Sequence, residues 1–471
     1  MLIAAIVIIA EVLGIISAID AVMTARTPQG SIAWAVSLVT FPYVAVPAYW
    51  VFGRSRFEGY VGARQLAEEK LLQVAPETRA DSGRFFVPRE RMPEGMRAAS
   101  SLVDLPPSQN NAVDLLIDGE ATFASIFDGI ARAEHYVLVQ FYILRADGLG
   151  NELKDRLIAK AKDGVRVFLV YDELGSLDLP KSYLEELRAA GAEASPFNTT
   201  QGLRNRFQLN FRNHRKIVVV DGRESWVGGH NVGDEYMGRD PKIGHWRDTH
   251  VHIVGPATLA VQLSFLEDWY WATGEIPDLD WTAVPAENSN IPLFIGPSSP
   301  ADARETASLM FLQAISSAEK RLWIASPYFV PDEAIMKAIE LADLRGADVR
   351  ILVPDKSDNA LVNLSVMTYL EELAGTDIQM YRYTNGFLHQ KVMLIDDHLS
   401  IIGTANLDNR SLRLNFEISV AIEDADFNRQ VAEMLEADFA NSRQMDPRYL
   451  ASQPFWYRLA ARAARLTAPI Q

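Results

Sequence analysis

The hydrophobic pattern separates an apolar amino terminus from a long remainder in which short and long apolar segments alternate. Residues 1–21 carry only two charges, Glu11 and Asp20, and residues 31–52 carry none. A bilayer-spanning helix needs about 20 predominantly apolar residues, so each stretch is long enough to cross a membrane, and the prolines of the second are tolerable there. The pattern predicts a two-helix transmembrane hairpin over residues 1–58.

The charges that flank the two stretches predict the orientation of this hairpin. Arg54, Arg56 and Arg64 follow the second stretch, whereas the connecting loop holds only Arg26. Because cytoplasmic flanks are enriched in Lys and Arg, we expect a multi-pass protein of the cell inner (cytoplasmic) membrane, with both the first residue and the long remainder in the cytoplasm. A removable signal peptide is the alternative for the first stretch, which lacks a basic start. Glu11 is costly in lipid and is interpreted as functional, as paired with Arg26, or as snorkelling toward an interface.

Beyond the apolar terminus, the chain repeats one pattern of elements twice. The first copy contains "ATFASIFDGIARAEHY", "VLVQFYI" and "DGVRVFLVYDELGS", and the second contains "SLMFLQAISSAEKR", "LWIASPYFV" and "RGADVRILVPDKSD" in the same order. Short apolar runs between longer helical patterns predict an α/β fold, with helices around a mostly parallel or mixed sheet in each copy. Two similar halves predict a pseudo-twofold arrangement with one site between them.

Composition sets the expected boundaries of these units. Residues 59–110 are rich in charge and proline and are interpreted as a linker or surface excursion. The first α/β domain is expected over residues 111–290 and the second over residues 291–445. Residues 446–471 mix aromatic, aliphatic and arginine side chains, which predicts a basic amphipathic tail at the membrane surface, with docking onto the α/β domains as the alternative.

Charge and composition narrow the possible functions. The 471 residues include 45 Lys and Arg against 61 Asp and Glu, a net charge of −16, which opposes attraction to a nucleic-acid backbone. We therefore expect no nucleic-acid partner. The chain has no cysteine, so disulfides, thiolate metal sites and a cysteine nucleophile are excluded. One basic segment contains Arg204, Arg206 and Arg212 and is interpreted as a site for anionic lipid headgroups or as a solvated loop.

A duplicated motif carries the predicted chemistry. The first half reads "NHRKIVVVDGRESWVGGHN" and the second reads "LHQKVMLIDDHLSIIGTAN", and the two align without a gap. The identical positions are His214 and His389, Lys216 and Lys391, Asp221 and Asp396, Gly228 and Gly403, and Asn231 and Asn406. A single pair of His and Lys is usually accidental, but two complete copies at fixed spacing are a specific signal.

The spacing within the motif suits a reaction at phosphorus. Side chains two apart on a strand share a face, so each histidine and its lysine are expected to point together into the interface between the halves. In our hypothesis one histidine attacks phosphorus and the other protonates the departing alcohol. The lysines supply positive charge, so neither a metal nor another cofactor is needed. Asp221 and Asp396 complete the catalytic motif and are interpreted as structural partners at strand ends, because a carboxylate would repel the phosphate.

The loop after each motif is expected to bind phosphate. Glycines permit a tight turn there, and the backbone N–H groups around Gly229 and Thr404 are candidate donors. The side-chain amides of Asn231 and Asn406 are the second set of candidate donors. Together they predict a phosphate-binding loop in each half.

Two carboxylates are candidates for orienting the histidines. An attacking imidazole is best held by an acceptor on its second nitrogen, and Asp248 and Glu417 occupy matching places before alternating apolar strands of the two halves. A metal site formed by His245, His250 and His252 is the alternative use of nearby residues, although no cysteine accompanies them.

These residues resemble a known family. The HxKxxxxD motif with a trailing GxxxN element, present in both halves, resembles the phospholipase D superfamily. The segments "RTPQGSIAWAVSLVTFPYVAVPAYWVFGRSRF", "SPYFVPD" and "NLDNRSLRLNFE", with the arginine-rich tail, resemble the bacterial cardiolipin synthases. The resemblance implies two phospholipase D-like α-β-α sandwich halves. It also implies transfer of a phosphatidyl group between two phosphatidylglycerol molecules, which yields cardiolipin and glycerol through a phosphatidyl-histidine intermediate.

The resemblance also implies individual roles and partners. His214 is the expected nucleophile, although the internal symmetry leaves His389 open. Tyr328 in "SPYFVPD" and, by internal alignment, Tyr142 are candidates for the headgroup pocket, with core packing as the alternative. The expected partners are phosphatidylglycerol and anionic membrane lipid. Competing functions are a phospholipase D-type hydrolase, which passes the intermediate to water, and a transphosphatidylase with another donor or acceptor.

Overall fold

The computed structural model describes residues 2–54, 56–74, 83–92, 94–103, 105–200, 209–357 and 359–471. Its α-helices are α1 (Leu2–Thr24), α2 (Pro28–Thr40), α3 (Pro42–Phe52), α4 (Glu58–Val74), α5 (Glu94–Val103), α6 (Asp118–Arg132), α7 (Gly148–Lys162), α8 (Lys181–Ala189), α9 (Thr258–Thr273), α10 (Thr306–Ser316), α11 (Glu333–Leu344), α12 (Ala360–Glu372), α13 (Asn409–Arg413), α14 (Ala425–Ala440) and α15 (Phe455–Arg465). Its strands are β1 (Ser108–Ile117), β2 (Tyr136–Phe141), β3 (Arg166–Asp172), β4 (Glu193–Phe197), β5 (Arg212–Asn213), β6 (Ile217–Val220), β7 (Glu224–Gly228), β8 (Trp246–Arg247), β9 (Thr249–Val254), β10 (Ile291–Ser298), β11 (Arg321–Ala325), β12 (Phe329–Val330), β13 (Asp348–Pro354), β14 (Gln379–Tyr383), β15 (Phe387–Leu388), β16 (Val392–Ile395), β17 (Leu399–Gly403), β18 (Leu407–Asp408), β19 (Asn415–Glu423) and β20 (Ser442–Gln444).

The main strands of both halves form one continuous sheet. Its order is β20-β14-β13-β11-β16-β17-β19-β10-β1-β9-β7-β6-β2-β3-β4. From the antiparallel pair β1 and β10 outward, the first half places β9, β7, β6, β2, β3 and β4 where the second places β19, β17, β16, β11, β13 and β14. In each half the last three of these strands are parallel and the others are antiparallel. The predicted α/β fold is confirmed, with a mixed sheet.

Helices cover both faces of each half. Every residue of β2 is buried, as is typical of a strand between two helical layers. α6, α7 and α8 pack on one face of the first half, and α10, α11 and α12 pack on one face of the second. α9 and α14 lie on the opposite faces and share a core with both halves, to which Val219, Phe265, Leu394 and Leu435 contribute. This shared core holds the two halves together.

The second apolar stretch is not one continuous helix, so the prediction of two full-length spans is not confirmed. α2 ends at Thr40 and α3 begins at Pro42, with Phe41 between them at φ −135° and ψ 57°. Proline has no amide hydrogen and disfavours a helical conformation in the residue before it. Within the described residues, one helical segment, Ile6–Thr24, is long and apolar enough to cross a membrane.

Part of the segment interpreted as a linker or surface excursion packs into the core of the fold. Tyr60 of α4 and Phe57, which directly precedes that helix, are 0% exposed and belong to the core shared by both halves. The Tyr60 hydroxyl donates to Asp268 of α9 at 2.7 Å. This first part of the segment therefore fixes the apolar terminus to the α/β fold.

The tail docks on the second half through one face and leaves another exposed. Ala461 and Ala464 of α15 are buried, and Arg462 pairs with Glu371 of α12 at 2.9 Å. The exposed face carries large apolar side chains, namely Phe455, Trp456, Leu459 and Leu466. One face of the tail therefore docks onto the second half, as the alternative interpretation expects, and the apolar face remains exposed.

Candidate active site

Two short parallel strand pairs cross between the halves and bring the two motifs together. β5 of the first half pairs with β19 of the second, and β15 of the second pairs with β8 of the first. Each motif histidine directly follows its short strand and extends the pairing. The backbone N–H of His214 donates to the carbonyl of Phe416 at 2.9 Å, and that of His389 donates to the carbonyl of Arg247 at 2.8 Å. Each histidine is therefore anchored on the opposite half.

Glu417 of the second half orients the imidazole of His214 in the first. Nδ1 of His214 lies 2.9 Å from both carboxylate oxygens of Glu417. The same carboxylate accepts from Thr404 at 2.6 Å and from Asn415 at 3.1 Å. Burial lowers the pKa of His214 to about 4 although Glu417 opposes this shift, so the ring is neutral near pH 7. Its Nδ1–H donates to Glu417, which leaves the lone pair on Nε2.

The second half-site is built in the same way with the halves exchanged. Nδ1 of His389 lies 2.7 Å from Oδ2 of Asp248, a carboxylate that also accepts from the backbone N–H of Thr249 at 2.8 Å. Burial lowers the pKa of His389 to about 3. The two carboxylates singled out from the sequence thus contact the two histidines, and each contact crosses between the halves.

Both lysines lie beside their histidines. Nζ of Lys216 donates to the carbonyl of His214 at 2.6 Å, and Nζ of Lys391 contacts the carbonyl of His389 and lies 3.0 Å from its Nδ1. That Nδ1 carries one proton, which it donates to Asp248, so the ammonium acts on it as a neighbouring charge. Beyond the effect of burial, Lys391 lowers the pKa of His214 and Lys216 lowers that of His389. The two half-sites therefore share one electrostatic environment.

The residue between His and Lys in the first motif points away from the site into a buried network. Nη1 of Arg215 lies 2.9 Å from Oδ2 of Asp268 on α9, and both side chains are almost fully buried. The carboxylate of Asp268 also accepts from three neutral donors, which are Tyr60, Gln140 and Asn213. This network fixes the backbone that carries His214.

The second half has an equivalent network around Asp438 of α14. Gln390 donates to Asp438 at 2.7 Å, and Arg247 donates to it through Nε at 2.7 Å and Nη2 at 2.9 Å. Sequence analysis missed both networks, because Asp268 and Asp438 belong to no motif. For Asp268, the sequence feature that could have indicated the network is its position inside the apolar segment "LSFLEDWYWA" of α9.

The motif aspartates bind backbone rather than the histidines. Asp221 and Asp396 adopt left-handed conformations, with φ of 51° and 49°, at the turns after β6 and β16. Each carboxylate accepts from three consecutive N–H groups where β2 or β11 begins, namely those of Glu134, His135 and Tyr136, and of Glu319, Lys320 and Arg321. These contacts match the interpretation of Asp221 and Asp396 as structural partners at strand ends. The two residues belong to the catalytic motif by sequence, but their carboxylates bind backbone.

The expected phosphate-binding amides at Gly229 and Thr404 require a correction. The N–H of Gly229 donates to the carbonyl of Thr249 at 3.0 Å, and that of Thr404 donates to the carbonyl of Ile418 at 2.9 Å, because both residues continue sheet strands. Gly229 instead makes room for a carboxylate, since a Cβ there would lie 1.9 Å from Oδ1 of Asp248. The two residues thus support the orienting carboxylates.

The two asparagines differ in their contacts. Asn231 accepts from the backbone N–H of Ile143 at 3.1 Å and donates to the hydroxyl of Tyr236 at 3.3 Å. Asn406 is buried, and its Oδ1 has no hydrogen-bond partner within the described part of the chain. Asn406 therefore has an acceptor oxygen left for a ligand that can donate a hydrogen bond.

Aromatic rings flank both histidines. The ring of Tyr142 meets that of His214 edge to face, with centroids 5.1 Å apart. Tyr328 is partly buried against the core of the second half. The ring of Trp246, which the sequence analysis did not single out, lies with its centroid 5.1 Å from that of His389. The aromatic neighbours are thus Tyr142 for His214, and Trp246 and Phe387 for His389.

Two arginines add positive charge on the Tyr142 side of the site. Burial raises the pKa of Tyr142, and the charges of Arg212 and Arg410 oppose this shift. Of the basic segment predicted for headgroups, Arg212 therefore acts near the site. Arg204 and Arg206 lie outside the described residues.

The three histidines of the alternative metal site do not converge. His245 bonds to Asp118 at 2.8 Å, and His250 bonds to His230 at 3.2 Å. His252 lies between two acidic residues, Asp114 and Glu224. No cluster of three or more metal-ligating side chains occurs among the residues that the structure describes.

A duplicated α/β fold with two facing His and Lys motifs defines the class, that of the phospholipase D superfamily. The family model described as "Cardiolipin synthase, PLD-like domain" matches residues 126–243 and 311–439. A second model, "Phospholipase_D-nuclease N-terminal", matches residues 12–54. The chain belongs to the cardiolipin synthase family.

Individual relatives agree with this family. The chain is 47% identical over 464 residues to cardiolipin synthase A of Pseudomonas aeruginosa strain LESB58, covering 98% of this chain and 94% of the relative. It is 45% identical over 465 residues to cardiolipin synthase A of Pseudomonas syringae pv. syringae, covering 98% and 96%. Among solved structures, phosphatidylserine synthase of Haemophilus influenzae Rd KW20 matches with a TM-score of 0.59 and 16% identity, over 80% of this chain and 100% of that one. That likeness concerns the fold alone.

Proposed function

We propose that the protein is a cardiolipin synthase that joins two phosphatidylglycerol molecules into cardiolipin and glycerol at the site between its halves. The observation that carries this proposal is the exchange of carboxylates, with Glu417 on His214 and Asp248 on His389. Two oriented imidazoles beside two ammonium groups suit a phosphodiester attacked from one side and released on the other.

In the proposed first step, Nε2 of His214 attacks the phosphorus of the donor lipid. The new P–N bond forms as the P–O bond to the headgroup glycerol breaks, and the proton held by His389 moves to the departing oxygen. A bound phosphodiester anion favours the protonated form of His389, while Lys216 and Lys391 offset the charge on the phosphoryl oxygens. The products of this step are free glycerol and a phosphatidyl-histidine.

In the second step, His389 takes the proton of a terminal hydroxyl on the acceptor phosphatidylglycerol. The hydroxyl oxygen attacks phosphorus, the P–N bond breaks, and cardiolipin leaves with His214 regenerated. Atoms balance over the cycle, because two phosphatidylglycerol molecules give one cardiolipin and one glycerol.

The assignment of His214 as nucleophile follows a difference between the half-sites. Nδ1 of His214 faces both oxygens of Glu417, whereas Nδ1 of His389 also has the ammonium of Lys391 at 3.0 Å. A neighbouring cation makes an imidazole a weaker nucleophile and a stronger acid. His389 therefore suits the role of proton donor.

We also propose that the apolar terminus anchors the enzyme in the cytoplasmic membrane, with both α/β halves in the cytoplasm. A short series of contacts connects the anchor to the site. Arg26, just after α1, pairs with Glu305 at 3.4 Å, and Glu305 pairs with Arg413 of α13 at 3.0 Å. The positive charge of Arg410, on the same helix, opposes the rise that burial causes in the pKa of Tyr142, which lies beside His214. The exposed apolar face of α15 would add a second contact with the membrane surface.

Product analysis tests the proposed reaction. The purified protein is incubated in vesicles that contain isotopically distinguishable phosphatidylglycerol and phosphatidylethanolamine, and the products are weighed by mass spectrometry. We expect cardiolipin built from two phosphatidylglycerol molecules, with His214→Ala and His389→Ala as inactive controls. Phosphatidic acid as the only product would instead identify a hydrolase, and label from phosphatidylethanolamine in the product would identify another donor.

A further inference from the structure

We infer that α2 and α3 form a re-entrant hairpin, which enters the bilayer from the side of the two α/β halves and returns to that side, and that α1 alone crosses the membrane. The inference rests on the proposed membrane anchoring but not on the proposed transfer reaction. It differs from a two-span hairpin in two respects: the loop between α1 and α2 lies on the same side as the α/β halves, and the first residue lies on the opposite side from them.

α2 and α3 fold back on each other along α1. The rings of Trp34 on α2 and Tyr49 on α3 meet edge to face, with centroids 5.2 Å apart. The Tyr49 hydroxyl donates to Asp20 of α1 at 2.7 Å, and the Ser31 hydroxyl donates to the carbonyl of Ala21 at 3.4 Å. The start of α2 and the end of α3 therefore lie beside the same turn of α1.

The turn between α2 and α3 lies partway along α1. A Cβ on Gly14 would meet the carbonyl oxygen of Leu38 at 2.4 Å and Cβ of Pro42 at 3.0 Å. From Gly14 to Thr24 the helix rises ~15 Å, about half of the ~30 Å hydrocarbon layer. The preceding residues of α1 extend ~18 Å further. The turn thus reaches the middle of the bilayer, and α1 continues to the far surface.

The other end of the hairpin is held against the second half. Arg26, in the loop between α1 and α2, pairs with Glu305 at 3.4 Å, so the suggested pairing of Arg26 with Glu11 is replaced by this contact. The backbone N–H of Phe57, shortly after α3, donates to the carbonyl of Pro300 at 3.0 Å. A loop on the opposite surface of the membrane could not touch Glu305, so this contact is incompatible with two complete spans.

The turn itself suits a lipid environment. Phe41 and Val44 are 70% and 71% exposed and present only apolar side-chain surface. The backbone N–H of Phe41 donates to the carbonyl of Ser37 at 2.8 Å, and the carbonyl of Phe41 accepts from Ala45 at 2.9 Å. Pro42 has no N–H to satisfy. Backbone that leaves the helical conformation within a membrane requires such internal partners.

The distribution of charge agrees with this topology. Arg26, Arg54, Arg56 and Arg64 all fall on the side of the α/β halves, whereas residues 1–13 contain no Lys or Arg. The positive-inside tendency then places the α/β halves in the cytoplasm without exception among these residues. In the two-span arrangement, Arg26 would lie on the opposite surface.

Cysteine labelling tests the topology directly, because the natural chain has no cysteine. Single cysteines are introduced at Gln29→Cys, at the exposed Glu185→Cys of the first half, and in a short tag before Met1. Each full-length variant is treated with a membrane-impermeant maleimide in intact cells and after permeabilisation. We expect the tag to react in intact cells, and the other two positions to react only after permeabilisation. Thermal unfolding of each purified variant in detergent, compared with the unsubstituted chain, serves as the folding control.

The test compares the sides of the membrane on which the three cysteines lie. Labelling that places Gln29→Cys opposite Glu185→Cys, or the tag on the same side as Glu185→Cys, would overturn the re-entrant hairpin. Cross-linking provides a measurement independent of permeability, since Arg26→Cys and Glu305→Cys in one chain are expected to join through a short bis-maleimide. The matched pair Arg26→Cys and Glu185→Cys is the control, and equal yields for the two pairs would also contradict the inference. Neither readout requires catalysis, so a failed topology and a failed transferase proposal are distinguishable.

Discussion

Each of the two imidazoles depends on one carboxylate for its proton position. Glu417 and Asp248 accept the Nδ1–H of His214 and His389, and this acceptance keeps the reactive lone pair on Nε2. Thr404 and Gly229 support the carboxylates, the first through a hydrogen bond and the second through the space it leaves. Glu417 and Asp248, which lie outside the motif, therefore bind and orient its two histidines.

Removing the charge of Glu417 is expected to lower kcat. In Glu417→Gln, the side-chain amide can donate to Nδ1 of His214, which shifts the imidazole proton to Nε2 and removes the attacking lone pair. We expect kcat to fall roughly 10²–10⁴-fold. Steady-state kinetics in vesicles measures this, with the exposed Glu436→Gln of α14 as the matched control. Equal rates for the two variants would refute the orienting role.

Adding one methyl group at Gly229 is expected to abolish most activity. The new Cβ would lie 1.9 Å from Asp248, so the carboxylate must move and His389 loses its acceptor. Gly62→Ala is the matched control, because its Cβ would meet nothing within 4 Å and alanine favours the helix by about 1 kcal/mol. Activity and thermal unfolding are measured for both variants. Full activity in Gly229→Ala would show that this close approach is unimportant.

The pH dependence is expected to report Lys216. Burial lowers the pKa of Lys216 to about 7, although Glu417 opposes this shift, so the ammonium is charged below that pH and is lost as pH rises through it. We expect kcat/KM to decline above about pH 7. In Lys216→Arg the guanidinium keeps its charge, so the decline should move to higher pH even if the absolute rate is lower. Identical basic limbs in the two proteins would exclude Lys216 as their cause.

Several of these residues could be predicted from the sequence because the motif is duplicated. The aligned motifs identify His214 and His389, and symmetry between the halves singles out Asp248 and Glu417. Neither signal says that each carboxylate serves the other half's histidine, because that exchange depends on the pairing of β5 with β19 and β8 with β15. Trp246 was missed because an aromatic residue before a strand is ordinary in a core.

At the scale of elements, the alternation of strands and helices was readable and the interruptions were harder to place. Apolar segments predicted β2 and β11 in corresponding positions because buried strands need continuous apolar sequence. The break at Phe41 could not be predicted in the same way. Proline is compatible with a membrane helix, and an apolar sequence is the same whether the chain continues across the membrane or turns back. The burial of Tyr60 was not predicted, because it lies at the start of a segment whose charge suggested a linker.

The attachment of the first motif to α9 gives a prediction about stability. Asp268→Ala leaves the buried guanidinium of Arg215 without its carboxylate, which we expect to lower the free energy of unfolding by about 3–5 kcal/mol. The double variant Arg215→Met with Asp268→Leu should lose less, because it removes both charges. Thermal unfolding of the purified proteins in detergent compares them. A double variant less stable than Asp268→Ala would contradict this explanation.

At the scale of the whole molecule, the halves form one catalytic unit. The sheet is continuous through β1 and β10, the core is shared, and each half supplies the carboxylate that the other requires. The apolar terminus is joined to this unit through Arg26 and Phe57. The site is thereby held close to the lipid from which both substrates come in the proposed reaction.

The central claim is that His214 carries the phosphatidyl group while His389 moves protons. A direct test uses a phosphatidyl ester of p-nitrophenol, whose leaving group departs without protonation. The reaction is quenched rapidly in denaturant at alkaline pH, where the P–N bond persists, and the peptides are then analysed by mass spectrometry. We expect His389→Ala to release one equivalent of nitrophenolate and to accumulate the adduct on His214, whereas His214→Ala should form no adduct. An adduct on His389 in His214→Ala, with none in His389→Ala, would contradict this claim.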